Sequence, residues 1–172
     1  MKRKIQGSVG CELIIKDKDI IQLLENANHA PSHKMTQPWR FKVFSNDSKK
    51  KLLDEITRKK DLSENKKKKL ENNFNQSSHI ICICMKKNND LLPEWEEIAA
   101  TAMAVQNLWI SCVDSNIGGY WSTPKYINKL RKFLKLNIDE ICLGFFYLGV
   151  HSSKKTNKKR RENISEKIQW FR

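Results

Sequence analysis

Between Ala30 and Phe41 the chain reads Ala-Pro-Ser-His-Lys-Met-Thr-Gln-Pro-Trp-Arg-Phe. Pro31 and Pro38 interrupt both regular structures, so the residues between them form a loop. Ser32 and Thr36 bring hydroxyls, His33 an imidazole, Gln37 an amide and Lys34 an ammonium, which together supply donors and acceptors. Such an inventory suits the grip on a polar ligand, and equally an ordinary connection between two elements. His29 and His33 stand four apart, but Pro31 breaks the helix that would align them as a metal pair and there is no H-E-x-x-H, so no metal is expected. Trp121-Ser122-Thr123 is a second candidate. An aromatic with two hydroxyls fits a flat ring with a polar edge, or simply a place in the core.

These residues need elements to position them. Apolar spacing predicts a helix over 18–28, ending before Pro31, and alternation predicts a strand over 40–44, followed by a turn and cap at 45–48 and a helix over 49–60. Residues 61–77 are polar and read as a mobile excursion whose run Lys66-Lys67-Lys68-Lys69 is solvated. His79 to Met85 is a continuous apolar run, the pattern of a strand buried on both faces. A long helix is expected over 93–116, with Pro93 at its start and Glu94, Glu96 and Glu97 in its first turn. Gly118-Gly119 is expected to end it, helical spacing resumes over 126–136, and 141–150 is a second buried strand. From His151 the chain is polar and basic, and it closes on Ile168, Trp170 and Phe171, which need a surface to cover. Strands mixed with helices of unequal length argue for an α+β fold. No G-x-G-x-x-G follows a strand, which removes the main support for a dinucleotide-binding fold of the regular βαβ kind.

The 172 residues suit one domain, residues 1–172, with 151–172 as a basic C-terminal extension. The net charge of +14 would attract nucleic acid, anionic membrane or a phosphorylated ligand. A nucleic-acid role is disfavoured because the basic runs lack interleaved aromatics and no groove-reading module is visible. The five cysteines, Cys11, Cys82, Cys84, Cys112 and Cys142, form no C-x-x-C pair and have no metal-ligand spacing, as expected of reduced thiols in the cytoplasm. The basic start is followed by no apolar core of signal-peptide length, and no apolar run has the length of a bilayer span, so neither export nor a membrane partner is expected.

Residues 30–41 resemble the Ala-Pro-Ser…Gln-Pro-Trp-x-Phe pattern of the nitroreductase family. Gly118-Gly119-Tyr120-Trp121-Ser122 after an Ala-rich helix and Gly144-Phe145-Phe146-Tyr147-Leu148-Gly149 extend the resemblance, in the order found in the small bacterial branch. The resemblance implies a mixed sheet flanked by helices, and a homodimer formed around the long helix with exchange of C-terminal strands. It also implies FMN held at the subunit boundary and reduced by NADH or NADPH, with hydride passed in a ping-pong cycle to a nitroaromatic, quinone or similar small acceptor. Because the cofactor carries the chemistry, no catalytic side chain is implied. Carried over by position, His29, Ser32, His33, Gln37, Trp121, Ser122 and Thr123 would contact flavin. The family's N-terminal Arg-Arg-Ser is absent here, leaving Lys4 and Gln6, with Arg3 one residue out of step, while Arg160 and Arg161 offer further cations for the phosphate. That departure raises one alternative, a protein of this fold with lost or altered activity, and the net charge with the two lysine-rich stretches raises another, a basic nucleic-acid-binding protein.

Overall fold

The computed structural model describes residues 14–58, 62–88, 90–113, 115–151 and 161–172. Its centre is β2 (His79–Lys86), which has partners on both edges. Side chains alternate along a strand, so Ile81 and Ile83 enter one apolar layer while Ile80, Cys82 and Cys84 enter the other, all fully buried. β4 (Glu140–Val150) pairs with β2 and divides in the same way, Phe146 and Leu148 to the first layer and Phe145 and Tyr147 to the second. Cys142 shares the second layer with Phe145, three residues on, because the register slips between Ile83 and Cys84 and leaves Leu143 as an extra residue in β4. β1 (Trp39–Phe44) pairs with the other edge of β2 and β3 (Ile117–Ser122) with β4, giving the order β1-β2-β4-β3.

Helices cover both layers. On the first, α1 (Asp17–Asn28) buries Ile20, Leu23 and Ala27, and α4 (Glu94–Ser111) buries Ala100, Ala104, Val105 and Leu108. Small residues at 100 and 104, one turn apart, suit close packing between elements. On the second, α2 (Asn46–Arg58) contributes Leu52 and Ile56, α3 (Glu64–Gln76) contributes Leu70 and Phe74, and the 3-10 turn Ile127–Leu130 seals the far side. Aromatic edges lock the layers: Trp109 meets Phe146 at 5.4 Å between centroids and Phe74 meets Tyr147 at 5.9 Å.

The α+β class stands, while several details differ from the expectations. Every strand pairing among the described residues is antiparallel, where a mixed sheet was expected. β2 and β3 do run in the same direction, joined by α4, but β4 inserts between them. Residues 64–76, expected as a mobile excursion, form α3, because Leu70 and Phe74 are one turn apart and both reach the core. Gly118 and Gly119 lie within β3 rather than ending a helix. A Cβ on Gly119 would fall 2.5 Å from both the Phe146 ring and the Tyr147 carbonyl, so the glycine serves close packing. Residues 126–136 make a 3-10 turn and further turns, not an α-helix. There Arg131 donates to the carbonyls of Glu140 and Asn137, and Lys135 is left-handed at φ 49°. Among the described residues no helix is long and apolar enough to cross a membrane.

Candidate functional site

The Pro-bounded loop is held at both ends and along its length. α1 ends at Asn28, with exposed His29 as its C-terminal cap, and the Asn28 Oδ1 accepts from the Trp39 indole Nε1 at 2.9 Å. That bond joins the two ends of the loop while Ala30 and Trp39 enter the first apolar layer. Between them, Lys34, Met35 and Gln37 are left-handed at φ 52°, 54° and 43°. None is glycine, so each costs about 1–2 kcal/mol and must be held by its surroundings. Three fastenings are present. Ser32 Oγ accepts from the Gln37 backbone N–H at 3.0 Å, the Arg40 guanidinium donates to the carbonyls of Gln37 at 2.9 Å and Trp39 at 2.7 Å, and His33 Nδ1 lies 2.6 Å from Glu96 Oε2 on the first turn of α4.

Trp121, Ser122 and Thr123 lie at and just beyond the C-terminal end of β3. β1 and β3 are at opposite edges of the four-stranded sheet, roughly 14 Å apart at ordinary strand spacing. Trp121 nonetheless packs against the same apolar layer that holds Ala30 and Trp39. It can do so because β4 carries Gly144 there, at φ +154°, in space where a Cβ would strike the indole. The indole Nε1 is buried with no hydrogen-bond partner, and so is Thr36 Oγ1 in the loop. Each unmade bond costs about 1–3 kcal/mol, the kind of debt that bound ligands or waters relieve at functional sites. Thr123 Oγ1 donates to the Leu143 carbonyl at 3.3 Å.

Arg161 is placed elsewhere. It lines a cavity of about 210 Å³ with Gln106, Trp109, Ile110, Cys112, Val113 and Gly118, near the C-terminal end of α4. Glu96, which fastens His33, is ten residues before Gln106 on that helix. Arg3, Lys4, Gln6 and Arg160 lie outside the described residues. Sequence reading missed Glu96, Arg40, Asn28 and Gly144. Glu96 looked like one of three acids complementing a helix start, and its partner is 63 residues away in sequence. Among the described residues no group of three or more His, Cys, Asp or Glu is arranged to hold a metal ion.

The antiparallel sheet between two helical layers, with a strained polar loop at one edge, defines an α+β protein with a candidate ligand site on the first layer. Comparison with known proteins gives the family: the nitroreductase family model matches residues 12–150, and the chain belongs to that family. It is 26% identical over 114 residues to the Bacillus subtilis (strain 168) protein YfhC, which is named, provisionally, an NAD(P)H nitroreductase. That match covers 63% of this chain and 59% of the relative, so the chain spans less than two thirds of YfhC. A nitroreductase-like protein from Bacillus cereus has a similar crystal structure, with a TM-score of 0.83 at 24% identity, covering 94% of this chain and 88% of the other. A variant of NfnB from Sphigopyxis sp. strain HMH, described as an FMN- and NADPH-dependent nitroreductase, gives a TM-score of 0.75 at 14% identity, covering 93% and 91%. At these identities the structural likenesses speak to the fold.

Proposed function

We propose that this protein is an FMN-dependent oxidoreductase that moves hydride from NADH or NADPH to a small acceptor such as a nitroaromatic or a quinone. The observation that carries the reading is the loop itself. Three left-handed non-glycine residues, held by three separate fastenings, surround a set of polar side chains, and strain of that kind gathers where a ligand is gripped. The donor set fits a flavin: Thr36 Oγ1 in the loop and Trp121 Nε1 at the end of β3 are buried polar atoms with no partner, and Trp121 supplies an aromatic body. When bound, FMN supplies the hydride chemistry. The chain would supply grip and orientation, with His29, Ser32, His33 and Gln37 on the loop and Trp121, Ser122 and Thr123 at the end of β3. Arg3, Lys4 and Gln6, with Arg160 and Arg161, would serve the phosphate as cations and an amide donor.

The same reading includes a homodimer. α4 buries one face on the sheet, yet Trp95, Ile98, Met103, Ile110 and Val113 of the helix and its end stay exposed. A helix apolar on both sides calls for cover on both. Ile164, Ile168, Trp170 and Phe171 of the tail are also exposed and would lie on a partner, in keeping with exchanged C-terminal segments. Buried Cys82, Cys84 and Cys142, none of them in a disulfide, suit a reducing compartment, and we place the protein in the cytoplasm.

Titrating FMN with purified protein and following flavin fluorescence tests the reading. Saturable quenching at one flavin per chain is expected, weakened at least tenfold by Trp121→Ala with Ser32→Ala, a loss of about 1.4 kcal/mol or more. Fluorescence that stays that of free flavin at micromolar protein would overturn it.

A further inference from the structure

We propose that Glu96 is a positioning residue for the loop at 33–37, acting through His33 to hold the strained conformation on which the candidate flavin site depends. The functional half of this inference rests on the flavin reading above, whereas the structural half does not.

The three acids in the first turn of α4 look equivalent in sequence and are not equivalent in space. Glu94 pairs with Lys87 at 3.0 Å, and buried Glu97 accepts from the backbone and side-chain nitrogens of Asn88 at 2.8 and 2.5 Å, so both tie α4 to the end of β2. Glu96 alone of the three reaches the loop, through its 2.6 Å contact with His33 Nδ1. A carboxylate accepts only, so Nδ1 must carry the hydrogen of that contact, and the tautomer and ring orientation of His33 are thereby set. Nε2 is left free for a ligand, the arrangement by which carboxylates orient histidines at binding sites.

His33 is immediately followed by left-handed Lys34 and Met35, and then by left-handed Gln37. The other two fastenings, from Ser32 and Arg40, both act on Gln37 or on Trp39 beyond it. Backbone bonds from Met35 N–H to the Ser32 carbonyl and from Thr36 N–H to the His33 carbonyl close the turn on itself, and among the described residues the Glu96 contact is the side-chain bond that ties its leading end to α4. Released from it, Lys34 and Met35 can relax toward ordinary backbone angles, and the loop opens locally without loss of the core. Both members are partly exposed, with His33 at 58% and Glu96 at 22%, so the pair is worth less than a buried one. An effect of roughly three- to tenfold is expected from a charge-assisted bond in that setting.

The opening can be read without flavin, because trypsin cleaves after the exposed Lys34. Cleavage of the Lys34–Met35 bond is followed by mass spectrometry in the native protein, alongside FMN affinity and the melting temperature. Glu96→Gln, which keeps shape and removes charge, is expected to speed that cleavage and weaken FMN binding, each roughly three- to tenfold, with melting unchanged. Glu96→Asp should recover part of both effects, and in the cleavage assay His33→Gln combined with Glu96→Gln should be no worse than either alone. Unchanged cleavage in Glu96→Gln overturns the proposal whatever happens to FMN. Faster cleavage in a protein whose wild type binds no FMN would uphold the clasp and remove the flavin reading. Faster cleavage with FMN affinity intact would overturn the claim that the clasp serves the site.

Discussion

Gly144→Ala is the sharpest test of how β4 makes room for Trp121. The glycine is at φ +154°, where side chains are rarely tolerated, at the bulge created by Leu143. A methyl group there would meet the Trp121 indole and lie 2.6 Å from the Ser122 carbonyl oxygen. The backbone contribution is about 1–3 kcal/mol, and overpacking adds about 1–3 kcal/mol. The variant should therefore lose roughly 2–6 kcal/mol, a large share of the 5–15 kcal/mol typical of a domain. Urea denaturation at fixed protein concentration would show a lower midpoint with an unchanged slope. Trp121→Ala removes the indole part of the clash but not the carbonyl or the backbone part. Combining it with Gly144→Ala should thus cost at least about 1 kcal/mol less than the sum of the two single changes. A Gly144→Ala protein within about 0.5 kcal/mol of wild type, or strict additivity in the pair, would refute the reasoning.

Other consequences can be checked by similar means. Phe74 is 1% exposed and anchors α3, so Phe74→Ala should cost about 3–5 kcal/mol in urea denaturation, while Lys68→Gln on the exposed side should stay within about 0.5 kcal/mol. Asn28→Ala leaves the indole of Trp39 in place and removes the acceptor of its N–H, and should cost about 1–3 kcal/mol by the same assay. Burial pushes His79 below its ordinary 6.5, Asp17 opposing and Lys49 assisting. Below that pH the unfolded chain takes up a proton that the folded chain resists, so stability should fall as pH drops from 6.5, and His79→Gln should flatten this decline. Cys82 and Cys84 are fully buried with thiols pushed upward, the first chiefly by burial and the second chiefly by its bond to Cys142. Neither should react with a thiol reagent until the protein unfolds, and labelling in native buffer located by mass spectrometry would contradict this.

What sequence reading could and could not reach follows from the range of the interactions. β2 was legible because a run of β-branched residues and small thiols has one natural place, between two apolar layers. The loop was legible through Pro31 and Pro38, which act locally. α3 was not, because only Leu70 and Phe74 mark its buried side among lysines and asparagines. Two apolar residues in thirteen give a weak period, and tertiary burial decides the helix. Gly118-Gly119 carried an ambiguous signal, since glycine both stops helices and permits close strand packing. The Phe146 ring across the pairing selects the second role. At the site, the polar inventory of residues 32–37 was visible while its fastening was not. The Glu96 partner comes from a separate helix, and the left-handed angles at Lys34, Met35 and Gln37 belong to residues with no intrinsic preference for them.

The central claim is that this chain holds FMN and accepts hydride through it. Its most direct test is the visible spectrum of the purified, FMN-reconstituted protein under anaerobic conditions, before and after adding NADH or NADPH. The account predicts a bound-flavin spectrum that bleaches with one of the two donors and returns when a quinone or nitroaromatic is supplied. A protein that leaves FMN free in solution, or binds it and stays oxidised with both donors, would contradict the account while leaving the fold in place.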